Sequence, residues 1–264
     1  EFVQVKYLGE EQLLMAFQTA PRFHQDYPTL RLIDMILDNS VAGLINLNLV
    51  ERQAVRAAGC FPQSYNDHGA HYLYGIPKDG QSMEEVENLL LDQVELVKKG
   101  EFADWILPAV LNDFKKTQKE NLESNPKRVE LLRDSFLSFV EWEVMDQEIQ
   151  VLEKVTKEDV VRVANKYFGE DYVVGFRVDQ QHVLPSIEKP KIDPLEIDPD
   201  KQSAFMKEVE EIPFNPFEPD FIESGKDFVS KEIADGITLV HVSNPLNDLF
   251  GIEVRMGIGS DYEP

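Results

Sequence analysis

Between Ser82 and Gly169 the sequence follows a helical period almost throughout, and this block lies between stretches that alternate like strands. Ser82 with Glu85 forms a capping box: the serine oxygen accepts a free backbone N–H and the glutamate reaches back to another. Val86, Leu89, Leu90, Val94 and Val97 then repeat at helical spacing, and Gly100 supplies the stop. A second helix starts near Asp104, with Pro108 in its first turn, where a missing N–H is tolerated. A third starts at Asn125-Pro126, with Asn125 as a favoured cap and Pro126 at the first helical position, and its spacing assigns Val129, Leu132, Phe136 and Val140 to the buried face. A short helix near 144–154 follows. Thr156 then caps a fifth, with Val160, Ala164, Tyr167 and Phe168 inward and Gly169 as its end.

Strand patterning brackets this block. Residues 2–20 read as two strands separated at Gly9, residues 70–77 as a third and residues 172–178 as a fourth. Asp26, Pro28 and Thr29 open a helix through Asn39, with Leu30, Ile33, Ile36 and Leu37 on one face. After a break at Gly43, residues 44–58 read as further helix, ended by Gly59 and Pro62. Strands and helices are segregated rather than strictly alternating. The expected class is therefore α+β, with helices packed on a mostly antiparallel sheet over residues 1–178.

The character changes at Asp179. Seven of the 15 prolines and 12 acids against 4 lysines fall in residues 179–225, which reads as an acidic, extended and largely irregular linker. The apolar set Phe205, Met206, Phe214, Phe217 and Phe221 argues against a disordered tail, which is poor in aromatics, and for a linker strapped along the domain surface. Strand patterning returns in residues 226–264, with a hairpin turning at Asp235-Gly236 and clean alternation over residues 252–256. Three strands bury no full core, so this stretch reads as the opening of a following, truncated domain.

Charge narrows the partners. The chain has 49 acids against 26 bases, a formal charge of −23, and such a surface repels nucleic-acid phosphates. No apolar run is long enough for a membrane-spanning helix, and residues 1–6 lack a signal-peptide pattern. Cys60 is the single cysteine, so no intrachain disulfide forms.

Few residues point to chemistry. His68 and His71 are either two zinc ligands or polar loop and strand residues, since Asn66-Asp67-His68-Gly69 also makes a turn. Cys60 with His68 is either a nucleophile pair or a buried thiol beside a surface histidine. Trp105 and Trp142 read as packing anchors, Arg52 and Arg56 as a solvated helix face or the wall of a peptide chamber, and Glu84, Glu85 and Glu87 as a dipole-friendly first turn.

Several segments together resemble the insulinase/pitrilysin zinc metallopeptidases. Residues 255–264, with Gly259-Ser260 and Glu263-Pro264, are similar to the segment that opens one of that family's domains. Residues 244–250 are similar to a strand connection in its long single-chain members. Residues 12–21 and 156–175 are similar to the first strands and the last helix and strand of its second domain. The resemblance implies a processing-peptidase-like α+β domain at 1–178, an inter-half linker at 179–225 and the start of a third domain at 226–264. Its implied role is non-catalytic: to wall a substrate chamber and join the two halves of a peptide-degrading metalloendopeptidase, with peptide contact through exposed sheet edges. The implied partners are other domains of the parent chain and peptide substrates.

The family's zinc motif is H-x-x-E-H, whose histidines grip the metal while the glutamate acts as general base on its water. None of the five histidines here sits in it. Residues 49–56 approach the segment that supplies an Arg and a Tyr in active members. Glu51 and Arg52 fit, but Arg56 stands where the Tyr belongs. No catalytic, metal or cofactor residue is therefore assigned in this chain, and zinc is expected elsewhere in the parent. The alternatives are a metal-free assembly or peptide-binding subunit of the same family and, outside it, an independent binding module.

Overall fold

The computed structural model describes residues 1–39, 41–181, 187–195, 198, 201–213, 216 and 218–257. The sequence features at Pro185, Phe214, Phe217 and 258–264 lie outside the described residues. The chain divides into two units, Glu1–Val183 and Leu184–Pro264.

The first unit has the expected α+β architecture. Five strands, β1 (Phe2–Tyr7), β2 (Gln12–Thr19), β3 (Ala57–Ser64), β4 (Gly69–Ile76) and β5 (Tyr172–Asp179), form one sheet in the order β1-β5-β2-β4-β3. β1 runs parallel to β5, and the other pairings are antiparallel. The first two strands are thus not neighbours: the last strand enters between them.

Alternation decides which face is covered. Leu13, Met15 and Phe17 of β2, His71 and Leu73 of β4, and Val174 and Phe176 of β5 are buried on one face. The helix layer lies on this face: α1 (Tyr27–Leu37), α2 (Met83–Lys99), α3 (Ile106–Glu123), α4 (Asn125–Leu137), α5 (Trp142–Asp146), α6 (Glu148–Leu152) and α7 (Lys157–Tyr167). α1 buries Leu30, Leu32, Ile33, Ile36 and Leu37, and α2 buries Val86, Leu90, Val94 and Val97. Two of the three predicted caps form, at Ser82 and Thr156; at α4 the N-cap is Ser124 rather than Asn125, and it makes no side-chain hydrogen bond. Ser82 and Glu85 exchange hydrogen bonds at the start of α2, and Thr156 does the same with Asp159 at α7. Gly100 ends α2 at φ 69°, a left-handed conformation that glycine adopts without steric cost.

Four further expectations for this unit fail. Residues 44–58 are not one helix: a π-helical turn (Asn46–Val50) leads into β3, the missed edge strand. Gly59 and Pro62, read as terminators, sit inside that strand. An edge tolerates proline, and a Cβ on Gly59 would lie 2.6 Å from Asp38 Oδ2 and 2.7 Å from the Tyr74 hydroxyl. The assigned inner face of α4 is largely bare: Val129 is 63%, Leu132 56% and Phe136 79% exposed, and Phe139 just beyond the helix is 90% exposed. Trp105 also stands in solvent at the start of α3, whereas Trp142 is half-buried.

Among its described residues the second unit has little regular structure. A short helix, α8 (Ala204–Glu210), interrupts the stretch expected to be irregular, with Ser203 accepting from the Met206 N–H. The hairpin at Asp235-Gly236 forms from β6 (Val229–Ala234) and β7 (Ile237–His241), with Gly236 at φ 71°. Residues 252–256 are not a strand, and Ile252, Val254 and Met256 are exposed.

Candidate functional site

Two polar clusters are built into the helix layer. The first is structural. Asp26, at the start of α1, is 1% exposed and accepts from Arg162 Nη1 (3.0 Å), Lys166 Nζ (2.6 Å) and the Tyr167 hydroxyl (3.1 Å). Burial raises this carboxyl, but the three donors outweigh burial and hold it at about 2. The cluster ties the start of α1 to α7.

The second cluster gathers side chains capable of chemistry at the other end of α1. Asp34 Oδ1 lies 2.8 Å from His71 Nε2 and 3.5 Å from Cys60 Sγ. His71, on β4, is 1% exposed, and Asp34 and Cys60 are half-buried. Asp38 Oδ2 accepts from the Cys60 backbone N–H at 3.2 Å. Burial pushes the Cys60 thiol up, and the Asp34 and Asp38 carboxylates push it further. The metal-free thiol is therefore protonated and a poor nucleophile.

This arrangement regroups the residues singled out in the sequence. His68 is exposed in the β3–β4 turn with its ring against Tyr65, so it forms neither the histidine pair with His71 nor the nucleophile pair with Cys60. The described residues bring together Cys60 and His71 instead, through Asp34. Asp34 was missed. Its signal was a carboxylate in the last turn of a helix with no basic residue there, at the end where the macrodipole disfavours negative charge. Arg56 is exposed and pairs with Glu10 at 2.7 Å, and Arg52 is exposed.

A third feature is a surface. The sheet face away from the helices carries Val3, Val5 and Tyr7 of β1 and Val173 and Arg177 of β5. It continues across Leu14, Ala16 and Gln18 of β2, Tyr72 and Tyr74 of β4 and Phe61 of β3. Phe61 stacks on Tyr72 with ring centroids 5.1 Å apart. A sheet face turned to water ordinarily carries polar residues. This one is aliphatic and aromatic, with Arg177 its one charge before Asp179 at the strand end, on a chain of charge −23. The H-x-x-E-H motif is absent from the sequence, so the residues present do not fit a catalytic zinc of that kind.

Residues 3–113 match the family model for the peptidase M16 inactive domain. No curated protein matches the sequence. Among solved structures, the chain is similar to a protease from Helicobacter pylori, with TM-score 0.64 and 19% identity over 67% of this chain and 44% of that one. It is similar to an inactive peptidase domain from Bordetella parapertussis, with TM-score 0.57 and 16% identity over 72% of this chain and 99% of that one. It is also similar to the peptidase M16 inactive domain from Pseudomonas fluorescens, with TM-score 0.59 and 14% identity over 68% and 44%. The chain thus spans less than half of the Helicobacter protein. Residues 3–113 accordingly belong to the M16, insulinase/pitrilysin-type inactive domains, and the unit that contains them has the fold of those domains.

Proposed function

We propose that this chain is a non-catalytic part of a zinc-dependent metalloendopeptidase, and that its open sheet face forms part of the wall against which a peptide substrate lies. The observation that supports this reading is the bare, nearly uncharged face running from Val3 to Phe61. A contiguous exposed aromatic and aliphatic face suits an interaction site, and side chains that make no charge demands suit peptides of varied sequence. Hydrolysis is supplied by a domain bearing H-x-x-E-H, with zinc held there. In the same reading, residues 179–225 link this domain to a following homologous one, which the β6–β7 hairpin opens. The test is made with the chain joined to, or mixed with, a zinc-bearing domain of the family. Replacing both Phe61 and Tyr72 by Ala raises KM for peptide hydrolysis roughly tenfold and leaves kcat nearly unchanged, as loss of uniform binding requires. An unchanged KM would remove the sheet face from the reading.

A second reading, a metal-free assembly or peptide-binding subunit, draws on the bare apolar face of α4. It predicts peptide binding without cleavage in any combination with zinc-bearing domains.

A further inference from the structure

We propose that Asp34, Cys60 and His71 form a structural site for a divalent cation of the zinc class, which staples the end of α1 to β3 and β4. The three side chains come from three different elements, and their donor atoms converge within 4.8 Å of one another. Zinc bonds of about 2.0–2.3 Å in a tetrahedral arrangement hold ligand atoms roughly 3.3–3.8 Å apart. The Sγ–Oδ1 separation of 3.5 Å already lies in that range, and the Nε2–Oδ1 separation of 2.8 Å must open by about half an ångström. Thiol, imidazole and carboxylate together select a borderline-soft ion over magnesium or calcium.

Charge points the same way. The last turn of α1 ends on Asp34 and Asp38, with no basic residue in that turn, so two carboxylates add to the negative end of the helix dipole. Asp38 reaches the Cys60 N–H at 3.2 Å and stands beside the cluster. A dication there offsets the Asp34 carboxylate and a Cys60 thiolate, so the ion and its three protein ligands together carry no net charge, with a fourth position for water.

Binding balances as follows. Cys60 gives up its thiol proton to solvent, and its sulfur lone pair goes to the metal. The neutral His71 ring binds through the Nε2 lone pair as its Nδ1–H tautomer, so the single ring proton that faces Asp34 in the other tautomer moves to Nδ1 and none is released from the ring. Nδ1 has no hydrogen-bond partner among the described residues, with the Phe168 ring standing edge-on 5.2 Å away. A zinc-bound histidine without an outer partner binds on the order of 10–100-fold more weakly than one with it. The site therefore loads with added metal and empties on dialysis against chelator.

The experiment uses the 264-residue chain, stripped with chelator and titrated with cobalt(II). The expected result is a thiolate-to-cobalt charge-transfer band with tetrahedral visible bands, saturating at one ion per chain, displaced by zinc and accompanied by a rise in Tm. Cys60→Ser abolishes the charge-transfer band and weakens binding at least tenfold, while His68→Ala, on the exposed turn, changes neither. A folded wild-type chain that shows no thiolate-to-cobalt band overturns the site. So does tetrahedral cobalt bound as tightly to Cys60→Ser, which would place the ion elsewhere. The wild-type titration decides the matter even if a variant fails to fold, and it is independent of the peptidase reading.

Discussion

Helices α2 and α4 share an apolar stripe at helical spacing and a start signal, yet the structure treats them oppositely. α2 lies on the sheet with Val86, Leu90 and Val97 almost fully buried, its capping box formed and Gly100 at its end. α4 packs beside α3 and α5 with Ser135 as its buried residue, and its Ser124 N-cap makes no side-chain hydrogen bond. Periodicity states which side of a helix avoids water. It does not state whether the chain itself supplies the cover. An uncovered stripe of this kind is what a domain presents when the covering surface comes from outside it.

Substitutions sharpen that contrast. The largest effect is in the core: Leu90→Ala should cost about 3 kcal/mol in urea unfolding, while Phe136→Ala on α4 should stay within about 0.5 kcal/mol. A comparable loss at Phe136 would mean that the α4 face is covered. Next comes Asp26→Asn, which removes a carboxylate held at about 2 against an ordinary 3.8 and should cost about 2 kcal/mol near neutral pH. A depressed folded-state carboxyl stabilises above the unfolded value and loses that contribution as pH falls through the folded one. The gap between Asp26→Asn and wild type should therefore close between about pH 4 and pH 2, and a gap constant with pH would rule out the ion cluster as its source. The smallest effect separates the two helix starts. Ser82→Ala should cost about 1 kcal/mol and Ser124→Ala close to nothing, and equal costs would break the comparison.

Much of the fold was legible because local chemistry and tertiary structure agree. Ser82, Thr156 and Gly100 mark helix ends by hydrogen bonding that needs no distant partner, and the alternation of β2, β4 and β5 follows from one buried face. What failed depended on partners far along the chain. β3 hides behind Gly59 and Pro62, whose presence makes sense only once Asp38 and Tyr74 crowd the strand and β3 is known to be an edge. The insertion of β5 between β1 and β2 left no local trace. The bare α4 face and the chain after Phe250 read as buried helix and as strand for the same reason: pattern records an apolar preference and not its satisfaction. At the candidate site His71 and Cys60 were both visible, but each was matched to His68, the nearest suitable residue in sequence. Asp34 joins them only through the packing of α1 across β3 and β4. The missing H-x-x-E-H motif, by contrast, was readable at once, because two histidines one helical turn apart are a local requirement.

The most direct test of the account is peptide hydrolysis by the 264-residue chain in the presence of zinc, measured alone and again with a zinc-bearing domain of the family. The account predicts no cleavage by the chain alone and cleavage in the combination, at a rate above that of the zinc-bearing domain by itself. Zinc-dependent hydrolysis by the isolated chain would contradict it.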